Sequence, residues 1–350
     1  MPKGRFPDDM GINGSLMVVH GFSSARESFL ILIDPALGRK ASTWNEAFIR
    51  LHGMLFARLQ LDSFDDEVDS FLDCWDPSSV TSTQWAITTV TNISALYQYN
   101  RKDSRLKEAL RQGRREKRET EHEESAPAEE TTEADSILPP SQLQNDLQVD
   151  MANTERAPDQ FANMPVGIRS DDREDVSLSK IVFEKAAFLG FTLLSETLNS
   201  GTTQDGPLIS IHIWLVFLAY ALRYQPVVRL LERKLPWQEL AELLNDVKSI
   251  VDAEWDEILA INELEGPVLL EDPIIRGFDW SRKLFPKGWF QDIDPIEPIE
   301  ETEESTEARK ERILTLGIQL TRVASPLNCS DNRSVIVLNL RMRYSECLMH

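Results

Sequence analysis

Apolar residues recur along this chain at helical intervals. In Thr43 to Gln60 they fall at Trp44, Ala47, Phe48, Leu51, Met54, Leu55 and Leu59. Steps of three and four place them on one stripe of a helix. Ser63 to Trp75 repeats the pattern with Phe64, Val68, Phe71, Leu72 and Trp75, and Trp85 to Tyr99 with Trp85, Ile87, Ile93, Leu96 and Tyr97. Ser23 and Ser24 predict the cap of an earlier helix through Ile33, which Asp34-Pro35 ends. Short connectors make such helices antiparallel neighbours. A second set follows: Val176–Asn199, Pro207–Tyr224 and Trp237–Ile250. Pro207 and Pro236 suit first-turn positions, and Pro226 starts or kinks a helix after Gln225. The most apolar run, Ile209 to Leu222, has fourteen residues. That is short for a membrane span and typical of a core helix. Ala308 to Val323 reads as one more helix, and Ser334 to His350 has the character of a strand with no partner.

Composition divides these elements. Residues 113–175 carry the run EHEESAPAEETTEADS, four prolines after position 138 and one aromatic ring, Phe161. Such a segment buries too little surface to offset its conformational entropy, so it reads as a disordered acidic insertion. Asp292 to Glu307 holds eight acids and no base, which reads as an acidic linker. The expected organisation is a flexible N-terminus (1–22), a first block of helical hairpins (23–112), the insertion (113–175), a second block (176–290), the linker (291–307), a helix (308–324) and a divergent tail (325–350). The expected fold is all-α, with stacked antiparallel helical hairpins in an α-solenoid-like array.

Charge and motifs narrow the function classes. The 350 residues hold 37 Lys+Arg against 58 Asp+Glu, a net charge of −21. A field of that sign repels phosphate backbones, so only a local basic patch would bind nucleic acid. Cys74, Cys329 and Cys347 are too few and scattered for a disulfide framework or a zinc site. The apolar run near the start, Leu16 to Val19, is too short for a signal-peptide core. No histidine pairs with another at i+3 or i+4 to present a metal site. His52 and His212 lie in apolar surroundings and read as satisfied core histidines. Ser15 to Ala25, SLMVVHGFSSA, looks like the strand and His-Gly turn of an α/β-hydrolase. No G-x-S-x-G elbow follows, and no alternation of strands and helices supports a parallel sheet. No glycine-rich phosphate cradle is present either. The expectation is a protein without catalytic residues, metal or cofactor, and without a membrane or small-molecule partner.

One basic stretch stands out. Arg101-Lys102 is followed, after eleven residues, by Arg114-Arg115-Glu116-Lys117-Arg118. A basic pair, a spacer and a second cluster is the layout of a bipartite nuclear-import signal. The alternatives are a charged helix end, favoured by the macrodipole, and a phosphate-binding patch.

Several blocks, in fixed order, resemble the EST/SMG proteins, a family of telomerase-associated and nonsense-mediated-decay factors. They are Ser24 to Leu30 (SARESFL), Phe48 to Phe56 followed by Leu61 to Phe64, Glu271 to Phe278 (EDPIIRGF), Phe285 to Phe290 (FPKGWF), and Arg312 to Gly317. The resemblance implies a helical domain of the DNA/RNA-binding type and a nuclear or shuttling adaptor. Its partners would be proteins of mRNA-decay or telomerase complexes, with RNA or single-stranded DNA as an alternative ligand. The 14-3-3-like half and the PIN nuclease domain of that family have no counterpart in these blocks. Within the block from Glu271 to Trp289, Asp272-Pro273 reads as an N-cap and first-turn proline. Gly277 reads as the helix stop, and Arg276, four residues after Asp272, is placed to reach its carboxylate or a nearby helix end. Glu271, Asp272, Arg276, Gly277 and Trp289 are therefore expected to be structural; the alternative is that Arg276 and Trp289 form an exposed recognition patch.

Overall fold

Thr43 opens the first helix because its hydroxyl accepts the backbone N–H of Glu46. The same logic recurs at Thr81, where threonine and Gln84 satisfy each other's backbone donors in a capping box. The computed structural model describes residues 43–124, 172–201, 204–251, 266–291 and 299–324. These residues form ten α-helices and no strand: α1 Trp44–Ala57, α2 Phe64–Cys74, α3 Ser82–Leu96, α4 Arg105–Glu124, α5 Asp172–Asn199, α6 Asp205–Ala221, α7 Gln225–Leu231, α8 Trp237–Ile250, α9 Glu271–Ile275 and α10 Glu303–Ala324. The all-α expectation holds, and the periodic stripes fall on α1, α2 and α3 as read. The expected N-terminal helix, the hydrolase-like segment and the C-terminal strand lie outside the described residues.

Helix α6 is the axis of the molecule. It is apolar on every side, which only a fully buried helix tolerates. It packs against α3, α5 and α10, and more lightly against α9. Trp214 and Phe217 sit at its centre, with Phe191 of α5 and Trp280 against them. Helices joined by short connectors pack as neighbours, α1 on α2 and α5 on α6. The two blocks share one continuous core, since α3 contacts both α5 and α6. Gly317 of α10 lets that helix approach α8, where a Cβ would lie 2.6 Å from Leu244 Cδ2.

Three boundaries differ from the sequence reading. The segment expected to be disordered from 113 is helical through Glu124, and helix resumes at Asp172. Pairs one turn apart carry α4 onward: Gln112 to Glu116 at 2.8 Å and Lys117 to Glu121 at 3.8 Å. Residues 125–171 lie outside the described residues. The acidic stretch before 308 is also partly helical, because Thr302 caps α10 through the N–H of Ser305. Glu303 and Glu304 then lie in its first turn, where carboxylates suit the dipole. Pro236 is the N-cap of α8 rather than a first-turn residue, whereas Pro226 occupies the first turn of α7 as expected.

The composition of 125–171 makes a direct prediction. Replacing these residues with a flexible Gly/Ser linker of about fifteen residues should leave the melting temperature within about 2 °C. A cooperative loss of helix by circular dichroism in that variant would show that the segment contributes to the core.

Candidate functional site

The short helix α9 places two adjacent acids, Glu271 and Asp272, inside the protein, and each is fully buried. Buried carboxylates persist only when matched, and both are. Arg309 of α10 donates to Glu271 from Nε at 2.7 Å and from Nη2 at 2.9 Å. The same guanidinium reaches Glu301, just before α10, at 3.0 Å through both terminal nitrogens. His212 of α6 completes the group, with Nδ1 2.8 Å from Glu271 Oε1. One turn along α10, Arg312 donates to both oxygens of Asp272, at 3.1 and 3.0 Å, and to Pro267 O at 2.6 Å. Asp272 also accepts from the Leu269 backbone at 3.0 Å and from Trp289 Nε1 at 3.2 Å. The result is a double clamp that fixes α9, α10 and the following turn to the central helix.

Burial alone would raise the Glu271 carboxyl. Hydrogen bonds from His212 and Arg309, with their charges, outweigh it and hold the group at about 2. Burial would likewise lower the Arg309 guanidinium, and its bonds to Glu271 and Glu301 reverse that shift upward. Both groups stay charged near neutrality, so neither can exchange protons with a ligand there.

The expected pairing of Arg276 with Asp272 is not formed. Arg276 is exposed, and its ψ of 128° takes it out of the helical turn, away from the face that Asp272 presents to α10. Arg312, forty residues downstream of Asp272, takes the carboxylate instead. Asp272 is also not the N-cap: α9 starts at Glu271, and Leu270 precedes it. Gly277 does end the turn at φ 94°, a conformation that favours glycine. His52 is buried and hydrogen-bonded through both ring nitrogens, as its surroundings implied; His212 is buried with Nδ1 on Glu271, but its Nε2 meets no partner among the described residues, so it is only half satisfied.

Beyond α9 the chain turns through residues 276–291 and forms a groove of about 440 Å³. Its lining comprises Arg276, Arg282, Gln291, two glycines, Pro286 and the rings of Phe285, Trp289 and Phe290. The Arg276 guanidinium stacks 4.6 Å from the centre of the Phe290 ring, and Phe290 meets Phe285 edge-on at 4.9 Å. Trp289 is held from behind by its bond to Asp272 and by the Arg312 guanidinium, 5.3 Å from its ring.

The two basic clusters occupy different settings. Arg101 follows the 3-10 turn after α3, donates to Phe56 O at 3.0 Å and lies 5.9 Å from the Phe56 ring. Lys102 is exposed beside it. Arg114, Arg115, Lys117 and Arg118 lie on α4 and are exposed. Arg114 bonds the Tyr220 hydroxyl and lies 3.8 Å from Asp279 of the groove turn. Among the described residues, no group of three or more His, Cys, Asp or Glu side chains is placed to hold a metal ion, and no helix is long and apolar enough to cross a membrane.

Arg309, Glu301 and the His212–Glu271 pairing were not read from the sequence. The available signal was a pair of arginines three residues apart, Arg309 and Arg312, flanking the apolar positions of an amphipathic helix. Cations on a buried face require buried acids elsewhere, and Glu271-Asp272 is an acid pair inside an apolar stretch. No family model matches this chain, and no curated protein or solved structure matches it either.

Proposed function

We propose that the protein is a non-enzymatic helical adaptor that works in the nucleus, with shuttling to the cytoplasm, in nonsense-mediated mRNA decay or telomerase regulation. The observation that carries the adaptor reading is the chemistry of the groove. Its lining offers guanidinium, aromatic and amide groups, with no carboxylate, imidazole, thiol or hydroxyl side chain. A guanidinium keeps its proton at neutral pH, so these groups bind rather than transfer protons. The cellular setting rests on the EST/SMG-like blocks. Two of them, around Asp272 and Arg312, meet in the buried clamp.

Affinity capture with the intact chain from nuclear extract tests this reading. Recovery of decay factors or telomerase subunits is the expected result; their absence would remove the cellular assignment. A second reading, nucleic-acid binding, is favoured by the exposed Arg115, Lys117 and Arg118 on α4. RNA retained at low salt and lost steeply as salt rises would support it.

The same three cations test the import signal without disturbing Arg114, which is tied to Tyr220. Changing Arg115, Lys117 and Arg118 to Ala should move a fluorescent fusion from nucleus to cytoplasm. A variant that remains nuclear would leave the cluster as the solvated end of α4.

A further inference from the structure

Two cations, one further residue and a hydroxyl follow one another three times in this chain: Arg39-Lys40-Ala41-Ser42, Arg101-Lys102-Asp103-Ser104 and Lys117-Arg118-Glu119-Thr120. Kinases with carboxylates in the substrate cleft choose acceptors by this order, because cations two and three residues before the hydroxyl pair with those carboxylates. Ser42 lies outside the described residues. Ser104 and Thr120 each follow one half of the basic stretch, and the fold treats them differently.

Ser104 is shut away. It is 1 % exposed, and its Oγ accepts the Lys107 N–H at 3.4 Å at the start of α4. A kinase reaches it only by opening the fold. Thr120 is exposed near the other end of the same helix. Leu106, Leu110 and Gly113 are buried and pack the first half of α4. From Arg115 to Glu121 every residue is exposed except the half-buried Glu116, so this part gains little from packing. Unpacked helical turns are marginal in water. Thr120 adds to that weakness, since its Oγ1 donates to Glu116 O at 3.2 Å and to Lys117 O at 2.9 Å, bonds that compete with the helix ladder. Residues 115–121 therefore unwind at small cost and present Thr120 in an extended chain.

We propose that Thr120 is a phosphorylation site for a kinase selective for basic sequences, and that its phosphate switches off the import signal. The Thr120 hydroxyl attacks the γ-phosphorus of ATP. The Oγ1–P bond forms and the bond from that phosphorus to the β–γ bridging oxygen breaks. ADP leaves with the electron pair, and a carboxylate of the kinase takes the hydroxyl proton. From Arg114 to Glu119 four cations stand against two acids, a net of +2. A phosphate carries about −1.5 to −2 at neutral pH, which brings that net to roughly zero. It also sets like charge against the acidic grooves in which an import receptor holds such cations. The switch rests on the import reading, whereas the acceptor site does not.

The test incubates the full chain with ATP and the catalytic subunit of cyclic-AMP-dependent protein kinase, which reads cations at these two positions. Phosphates are mapped by tandem mass spectrometry. Thr120 should be modified and Ser104 should not. Affinity for a purified import receptor is then measured before and after kinase treatment. The phosphorylated chain should bind at least about tenfold more weakly. Thr120→Ala, treated in the same way, should bind like its untreated form, which separates Thr120 from Ser42. An unmodified Thr120, modification of Ser104 in its place, or undiminished binding by chain phosphorylated at Thr120 would overturn the proposal. Failure of the unmodified chain to bind the receptor would overturn the import reading and the switch with it, while a phosphate mapped to Thr120 would uphold the acceptor site.

Discussion

Replacing Arg309 with Met should destabilise the protein by about 3–5 kcal/mol, the cost of leaving a buried charge without its partner. Arg309 is fully buried and holds Glu271 through two nitrogens, so its loss leaves the carboxylate with His212 alone. Glu271→Gln should cost less, because Arg309 retains Glu301, whose side chain is 18 % exposed. The double variant should be less destabilised than the two single effects combined, since a neutral pair of similar shape removes both unmatched charges. Denaturant midpoints for the four proteins supply the cycle. Additive losses would mean that Arg309 acts only by filling space.

Acid gives the same clamp an independent signature. The Glu271 carboxyl falls from its ordinary value near 4.5 to about 2 in the folded protein. A depressed carboxyl stabilises the fold above its unfolded pKa. That stability is lost as pH falls through the folded value, here from about 5 down to about 2. Roughly 3 kcal/mol should go across that window, and Glu271→Gln should remove that share of the loss.

Helix content was legible in the sequence because burial of one face imposes a period, which α1, α2, α3 and α8 carry; α6, apolar on every side, was legible by its length and apolar density instead. Helix ends were less legible where charge carried the helix onward. The run Arg111 to Glu124 has few apolar residues to mark a face, and it is helical through side-chain pairs and its continuity with the packed half of α4. The clamp was half legible. Glu271-Asp272 stood out, but its partner could not be chosen by spacing within one segment. A four-residue interval predicts contact only while the helix continues, and α9 ends at Ile275. Arg312 wins because the fold brings α10 within reach of Asp272 from forty residues away, a long-range arrangement that no local period encodes. The groove was legible only as a set of aromatic residues. That Trp289 would be anchored from behind, with Arg276 stacked on Phe290, depends on the clamp being in place.

Between pH 7 and pH 5 the protein should lose about 2 kcal/mol of stability through one residue, His52. Its ring lies inside the first block, with Nδ1 2.7 Å from the Tyr99 hydroxyl, Nε2 3.2 Å from Asn92 Oδ1 and the Phe48 ring 4.2 Å away. Burial lowers its pKa from 6.5 to about 3, although the Asn92 contact opposes the shift. Folded His52 is therefore neutral through this window, while the unfolded chain takes up a proton below 6.5. The unfolded state binds more protons, so stability is full above 6.5 and declines as pH falls toward 3. Gln98, Tyr99 and Asn100 all have positive φ, and the His52–Tyr99 contact helps hold that left-handed turn between α3 and α4. His52→Gln keeps a polar side chain there but cannot titrate. Its stability should change by less than about 0.5 kcal/mol between pH 7 and pH 5, against about 2 for the parent. Parallel slopes for the two proteins, from urea midpoints at each pH, would show that His52 is protonated in the fold and that the Asn92 and Tyr99 contacts outweigh its burial.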